Sequence, residues 1–331
     1  MELKLVMVVL KLIDIGTIPQ QDIPHLFIIE RTDEVRERLL KTIWHDCTYS
    51  ALQQSWSKQQ PYALFLPQCD RIYAVADNGV MKAIAKSNIK HALYLVNAAK
   101  REECSITPIN LSIESATGIS IPSSDAWSTP FLPMEQCLFN PQIAIGSNRE
   151  TVITANAVDA SARIFLADPD ITEKLKIDHC IEPCFLSAGG KKMVFFRKCP
   201  ADWAVYYNQP ETRMAAELLP LTECTLNDDY TVEDTLNLSK GWVTGGSFAF
   251  DVCSTKDNAI VLATVSGLLD KPLLQILRSP DAGTKWKAYP SIALEEVPYR
   301  IKIGATKSRI LVACVFKKHD GFHVMAAEFD R

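Results

Sequence analysis

Beyond residue 61 the chain alternates between short apolar runs and clusters of Gly, Asn, Asp, Ser and Pro. Runs of about four to eight β-branched, aromatic and other apolar residues bounded by turn formers predict short strands. They fall at 62–66, 71–75, 91–96, 151–155, 163–167, 193–197, 203–207, 259–265, 273–278 and 309–316. At the N-terminus, alternation of Leu3 and Leu5 with polar neighbours, followed by Val-rich sequence, predicts one further strand over 3–13. One stretch departs from this pattern. Val35, Leu39 and Ile43, and Leu40, Trp44 and Cys47, recur at three- and four-residue steps. With Asp33 and Glu34 suited to a helix start, this spacing predicts a helical excursion over residues 33–57. No other segment has helical period and length, so the expected class is all-β.

Several of these runs share one form: two apolar residues flanking a third, a polar turn, then a second apolar strand. Leu64 and Leu66 lead to Ile72, Ile143 and Ile145 to Val152, Phe250 and Val252 to Ile260, and Ile301 and Ile303 to Ile310. A weaker copy runs from Cys184 to Met193. The widest gap between starts, 64 to 143, leaves room for another unit, sought at 105–127. Units of about 40–50 residues with several strands each are the signature of a β-propeller, because one blade cannot bury both its faces alone. The expectation is a single domain over residues 1–331, a propeller of five to six antiparallel blades with room for a seventh. The last unit holds too few strands, and the strand at 3–13 supplies the missing one. Two stacked β-sandwiches are the alternative.

Composition narrows the class of protein. Hydrophobic residues make up 47% and charged residues 22% of the 331, as in ordinary folded chains. Lys+Arg 35 against Asp+Glu 39 gives a net charge of -4, so no nucleic-acid partner is expected. The apolar run before Lys11 is short for a signal peptide, and nothing reaches the length of a membrane span, so no membrane association is expected. The ten cysteines are scattered through apolar runs, which predicts reduced thiols and a cytoplasmic location.

The most specific motif is Ser279-Pro280-Asp281-Ala282-Gly283-Thr284-Lys285-Trp286. It fits Ser-x-Asp-x-Gly-x-x-Trp between two predicted strands. Ser279 and Asp281 suit hydrogen bonds across a tight turn, Gly283 suits a positive φ, and Trp286 suits packing beneath the turn. These four residues are expected to be architectural. On this motif the chain resembles the Asp-box (BNR-repeat) β-propellers, a group that includes sialidases, and the resemblance implies a sialidase-like fold over residues 62–330. Such enzymes use an arginine cluster, an acid/base and a nucleophilic Tyr, and open with Phe/Tyr-Arg-Ile-Pro. The nearest string here, Tyr299-Arg300-Ile301-Lys302, lies in the last unit and lacks the proline. Arg71, Arg149, Arg163, Arg197 and Arg213 show no convergence in sequence, and salt bridges account for each.

Other constellations yield no site. His179, Cys180, Cys184 and Cys199 lack the paired spacing of a zinc site, and His319 and His323 flank a turn without further ligands. Gly189-Gly190 and Gly245-Gly246 lie between strands, where phosphate loops do not form. The tryptophans are expected chiefly in packing between blades. Hence no catalytic residue, metal or cofactor is expected. The expected function is a non-catalytic protein-binding platform, of an immunity or chaperone-like kind that neutralises or escorts a toxin or effector. The alternative is a glycan-directed propeller, either a lectin or a degenerate sialidase-like glycoside hydrolase.

Overall fold

The computed structural model describes residues 2–20, 23–50, 52–69, 71–77, 80–87, 92–109, 138–157, 160–167, 171–200, 217–243 and 245–330. Strand β1 (Lys4–Val9) precedes a first blade of β2 (Leu12–Gln20), β3 (Ile23–Arg36), β4 (Leu39–Ser50) and β5 (Ser55–Lys58), with β6 (Tyr62–Leu66) also on β4. Blade 2 is β7 (Arg71–Asp77), β8 (Val80–Ser87), β9 (Ala92–Ala98) and β10 (Ser105–Ile109). Blade 3 is β11 (Phe139–Ile145), β12 (Thr151–Asn156), β13 (Ala162–Ala167) and β14 (Ile171–Ile177). Blade 4 is β15 (Cys180–Ala188), β16 (Lys191–Lys198), β17 (Leu221–Leu226) and β18 (Val232–Asn237). Blade 5 is β19 (Ala249–Ser254), β20 (Ile260–Leu268), β21 (Lys271–Ser279) and β22 (Lys287–Ala288), with β23 (Ile292–Ala293) on β21. Blade 6 is β24 (Arg300–Ala305), β25 (Arg309–Lys318) and β26 (Gly321–Asp330), and β1 pairs antiparallel with β26. The chain is therefore an all-β, six-bladed propeller, not a pair of sandwiches.

Strand period explains how the ring coheres. A middle strand is buried on both faces, so its apolar run is continuous, yet successive side chains point opposite ways. On β20, Ile260 and Leu262 join the core shared with blade 4. Val261 and Ala263, between and after them, join the core shared with blade 6. Each of the six apolar clusters likewise lies between two neighbouring blades, and the cluster of Val9, Val315, Val324, Ile15, Leu26 and Ile28 closes the ring from blade 6 to blade 1. Outer strands carry the polar load: β14 and β18 are largely exposed and rich in charge, which suits unpaired sheet edges.

The helical excursion over 33–57 is corrected. That segment is the end of β3, a tight turn, β4 and β5. Thr42, Trp44 and Asp46 are buried while Ile43 and His45 between them are less so, a period of two that the three- and four-residue spacing masked. Asp33 and Glu34 pair with Lys11 and Lys41 and cap nothing. Glu37 and Arg38 make the reversal with φ of 46° and 73°, a hairpin geometry usually announced by Asn or Gly. The strand expected at 3–13 is two strands, since β1 ends at Val9 and β2 begins at Leu12. The unit begun at Leu64 straddles a boundary, because Leu64 closes blade 1 and Ile72 opens blade 2. Most of the 105–127 unit, the 203–207 strand, Trp127, Cys137, Trp203 and Arg213 lie outside the described residues.

Candidate functional site

The first strand of each blade, β2, β7, β11, β15, β19 or β24, stands at the axis beside its counterparts in the neighbouring blades. Together they enclose a cavity of about 240 Å³. Thr17, Tyr73, Gln142, Ser187, Asp251, Ser254 and Lys302 supply its polar wall. Val75, Ile143, Ile145, Val252 and Ile303 supply much of the rest.

A charged constellation sits where β19, β24 and β7 meet. Asp251 Oδ1 lies 3.2 Å from Lys302 Nζ, and Asp251 Oδ2 accepts the Ile303 N–H at 2.8 Å. Lys302 Nζ lies 4.7 Å from the centre of the Tyr73 ring. Arg71 Nη1 donates to the Tyr73 hydroxyl at 3.1 Å. Nearer the strand starts, Asp14 Oδ1 accepts the Ile15 N–H at 2.9 Å and lies 3.7 Å from Arg300 Nε. Asp14 Oδ2 is buried and, among the described residues, accepts no hydrogen bond.

These groups are deeply set. Burial pushes the Asp251 carboxyl above the usual carboxylate range, while Lys302 and the Ile303 N–H work against that push. Burial, the largest single influence, lowers Lys302, but Asp251, Tyr73, Asp14 and Cys184 together outweigh it, so the ammonium stays protonated. Burial also raises Tyr73, with Arg71 opposing. Cys184 and Cys253 line the same cavity as protonated thiols; burial pushes Cys184 up to about 12 and raises Cys253 as well. Neither is a nucleophile at neutral pH. The arrangement offers fixed donors and acceptors in a narrow, partly apolar channel, which suits a small molecule rich in hydroxyl groups.

The residues of the Ser-x-Asp-x-Gly-x-x-Trp motif lie elsewhere. They join β21 to β22, and none lines the channel. Ser279 Oγ donates to Asp281 Oδ1 at 2.9 Å and accepts the Gly283 N–H at 2.9 Å, while Asp281 Oδ1 accepts the Lys285 N–H at 2.8 Å. Gly283 has φ +90°, and a Cβ there would lie 2.5 Å from Glu223 Oε1 of blade 4. Trp286 is buried, edge to face with Phe195 of blade 4 at 6.2 Å between ring centres. Trp44 is also buried between blades, whereas Trp242 is 43% exposed.

Of the arginines singled out in sequence, Arg71 reaches the channel constellation, whereas Arg163 and Arg197 pair with Glu173 and Glu182. The string Tyr299-Arg300-Ile301-Lys302 proves to carry one cavity-lining residue, Lys302, and Arg300, which lies outside the lining and meets Asp14. Sequence reasoning missed Asp14, Tyr73, Asp251 and Lys302. A signal was present: Ile13-Asp14-Ile15, Phe250-Asp251-Val252 and Ile301-Lys302-Ile303 each place a charge between the two apolar residues that open a blade.

Ring and channel together define a six-bladed β-propeller of sialidase-like fold. Among solved structures, the chain is similar to a Penicillium chrysogenum α-L-arabinanase complexed with arabinobiose: TM-score 0.60, 8% identity, covering 100% of this chain and 98% of that one. It is similar to Trypanosoma rangeli sialidase in complex with 2,3-difluorosialic acid, with TM-score 0.56 and 11% identity over 96% of this chain, which spans 54% of the sialidase. A protein of unknown function from Dyadobacter fermentans DSM 18053 matches at TM-score 0.57 and 11% identity over 99% of each chain. No protein-family model matches the sequence, and no curated protein matches it. At these identities the likeness is one of fold.

The expectation of a protein-binding platform of immunity or chaperone-like kind, directed at a toxin or effector, is corrected. The similar folds of known activity reported above are an arabinanase holding arabinobiose and a sialidase holding a sialic-acid derivative, not a toxin- or effector-binding protein. Among the described residues no helix is long and apolar enough to cross a membrane.

Proposed function

We propose that this propeller is glycan-directed and that its axial channel takes one sugar unit. The constellation of Asp251, Lys302 and Tyr73 carries the reading. A propeller is held together by its apolar interfaces between blades. Buried ion pairs at its axis contribute little that apolar side chains would not, so their placement in a cavity wall favours a role in binding. Sugar hydroxyls would bridge Asp251 and Lys302, and the ring's C–H faces would meet Val252 and Ile303. The test is ligand-observed NMR of the full chain with arabinobiose and with sialyllactose. Saturation transfer to at least one of them, lost in Lys302→Met, supports the reading; no transfer to either removes it.

One observation favours a second reading, cleavage of the bound glycoside. Two buried carboxylates, Asp251 in the cavity wall and Asp14 outside its lining, engage the same strand β24 through Lys302 and Arg300. Glycoside hydrolysis commonly uses a pair of carboxylates. Release of reducing sugar from arabino-oligosaccharides or sialyllactose, abolished by Asp14→Asn and by Asp251→Asn, is its expected outcome. No release from either substrate, with binding intact, leaves a lectin. A reducing compartment such as the cytoplasm suits the chain, because the described cysteines are free thiols and most are buried.

A further inference from the structure

The channel's own charges bear on which sugar it takes. Among the described residues the cavity's one lining cation already meets a carboxylate: Lys302 lies 3.2 Å from Asp251; Arg300, outside the lining, lies 3.7 Å from Asp14. Arg71 does not line the cavity; it stands behind Tyr73, donating to the phenol hydroxyl. Among the described residues the cavity wall carries no formal charge apart from Asp251 and Lys302, with Thr17, Tyr73, Gln142, Ser187 and Ser254 as its remaining hydroxyl and amide side chains.

We propose that the channel selects a neutral sugar, a pentose or hexose without a carboxylate, over an acidic sugar such as a sialic or uronic acid. This rests on the glycan reading above and adds a charge preference to it. Recognition of a sugar carboxylate needs a cation free to pair with it, ideally a bidentate guanidinium. Here the carboxylate would have to draw Lys302 away from Asp251, leaving a buried aspartate without its partner. Otherwise it would sit beside Asp251 with the ammonium shared, and like charges repel strongly in a poorly solvated wall. A neutral sugar meets neither obstacle. Each hydroxyl both donates and accepts, so one can donate to Asp251 while a neighbour accepts from Lys302, and the ion pair stays intact.

The experiment is titration calorimetry on the full chain with arabinose, arabinobiose and galactose against glucuronic acid and N-acetylneuraminic acid. At least one neutral sugar is expected to bind roughly tenfold more tightly than either acid, a difference of about 1.4 kcal/mol. Its affinity should be nearly independent of salt. Asp251→Asn, which keeps an acceptor for the Ile303 N–H but frees the charge of Lys302, is expected to gain affinity for glucuronic acid. Wild-type binding of an acidic sugar as tight as that of every neutral one overturns the charge preference and leaves the glycan reading standing. Absence of binding by all five sugars removes the glycan reading and this inference with it. Should Asp251→Asn fail to fold, the wild-type ratio decides alone.

Discussion

Lys302 Nζ lies 3.2 Å from Asp251 Oδ1, across the seam between the inner strands of blades 5 and 6. Fifty-one residues separate the two in sequence, and ring geometry alone brings them together. Both are largely shielded from water, with side chains 13% and 8% exposed. Removing one partner leaves the other's charge buried, which typically costs about 3–5 kcal/mol. Asp251→Ala and Lys302→Met should each lower the urea midpoint steeply. The double variant should lose much less than the two losses combined, as interacting sites do. A double-mutant cycle by urea unfolding measures this, and strict additivity would show the pair to be uncoupled.

The hairpin at 279–286 offers a separate test of architecture. Ser279 is fully buried and its hydroxyl serves both Asp281 and the Gly283 N–H. Ser279→Ala should cost about 1–2 kcal/mol through those bonds, and Asp281→Ala should lower stability in the same direction. Gly283→Ala should destabilise for a different reason. Its φ of +90° disfavours a side chain, and the new Cβ would meet the Glu223 carboxylate of the next blade. Thermal melts of the three variants check this, and unchanged midpoints would contradict the architectural role.

Glu223 gives the fold a pH dependence. It is 4% exposed, and among the described residues Oε2 has no hydrogen-bond partner. Burial pushes its carboxyl from 4.5 up to about 7, with Lys191 opposing and Asp234 adding to the rise. Below 4.5 the group is protonated whether the chain is folded or not, and it costs nothing. Between 4.5 and about 7 the unfolded chain releases the proton first, so stability from this group falls as pH rises. The loss is on the order of 2–3 kcal/mol by pH 7 and changes little above it. Glu223→Gln should be the more stable form at pH 7.5 and should flatten the profile over that window. Chemical denaturation from pH 4.5 to 8 reads this directly.

Ring closure depends on the N-terminal strand. β1 pairs with β26, and Val9, Val6 and Met7 pack into the core between blades 6 and 1. Deleting residues 1–9 should lower the melting temperature and leave the β26 edge open to other chains. Size-exclusion chromatography should then show concentration-dependent association. A monomeric deletion variant with unaltered stability would contradict closure by this strand.

Much of the ring was legible because strand period is local. The units begun at 143, 184, 250 and 301 fall in β11, β15, β19 and β24, the inner strands of blades 3 to 6. Blade 1 was hidden by a coincidence of spacing. Leu39, Ile43 and Cys47 fit a helical face and a long strand equally well, and Glu37 with Arg38 turns the chain without the usual Gly or Asn. The blade 1–2 boundary was lost because Leu66 and Ile72 are as close in sequence as the two arms of a hairpin. The channel was the least legible part. Asp14 meets Arg300 and Asp251 meets Lys302 only once the ring is closed, so no local pattern announces either pair. The charge lodged between two apolar residues at the start of a blade is the trace they leave.

A structure of the full chain with arabinobiose is the decisive measurement of what the axial channel binds. One sugar unit is expected in the axial channel, its hydroxyl groups within hydrogen-bond distance of Asp251 and Lys302 and its ring near Tyr73. A channel left without sugar at saturating arabinobiose, or a sugar bound only on the outer surface of the blades, would contradict it.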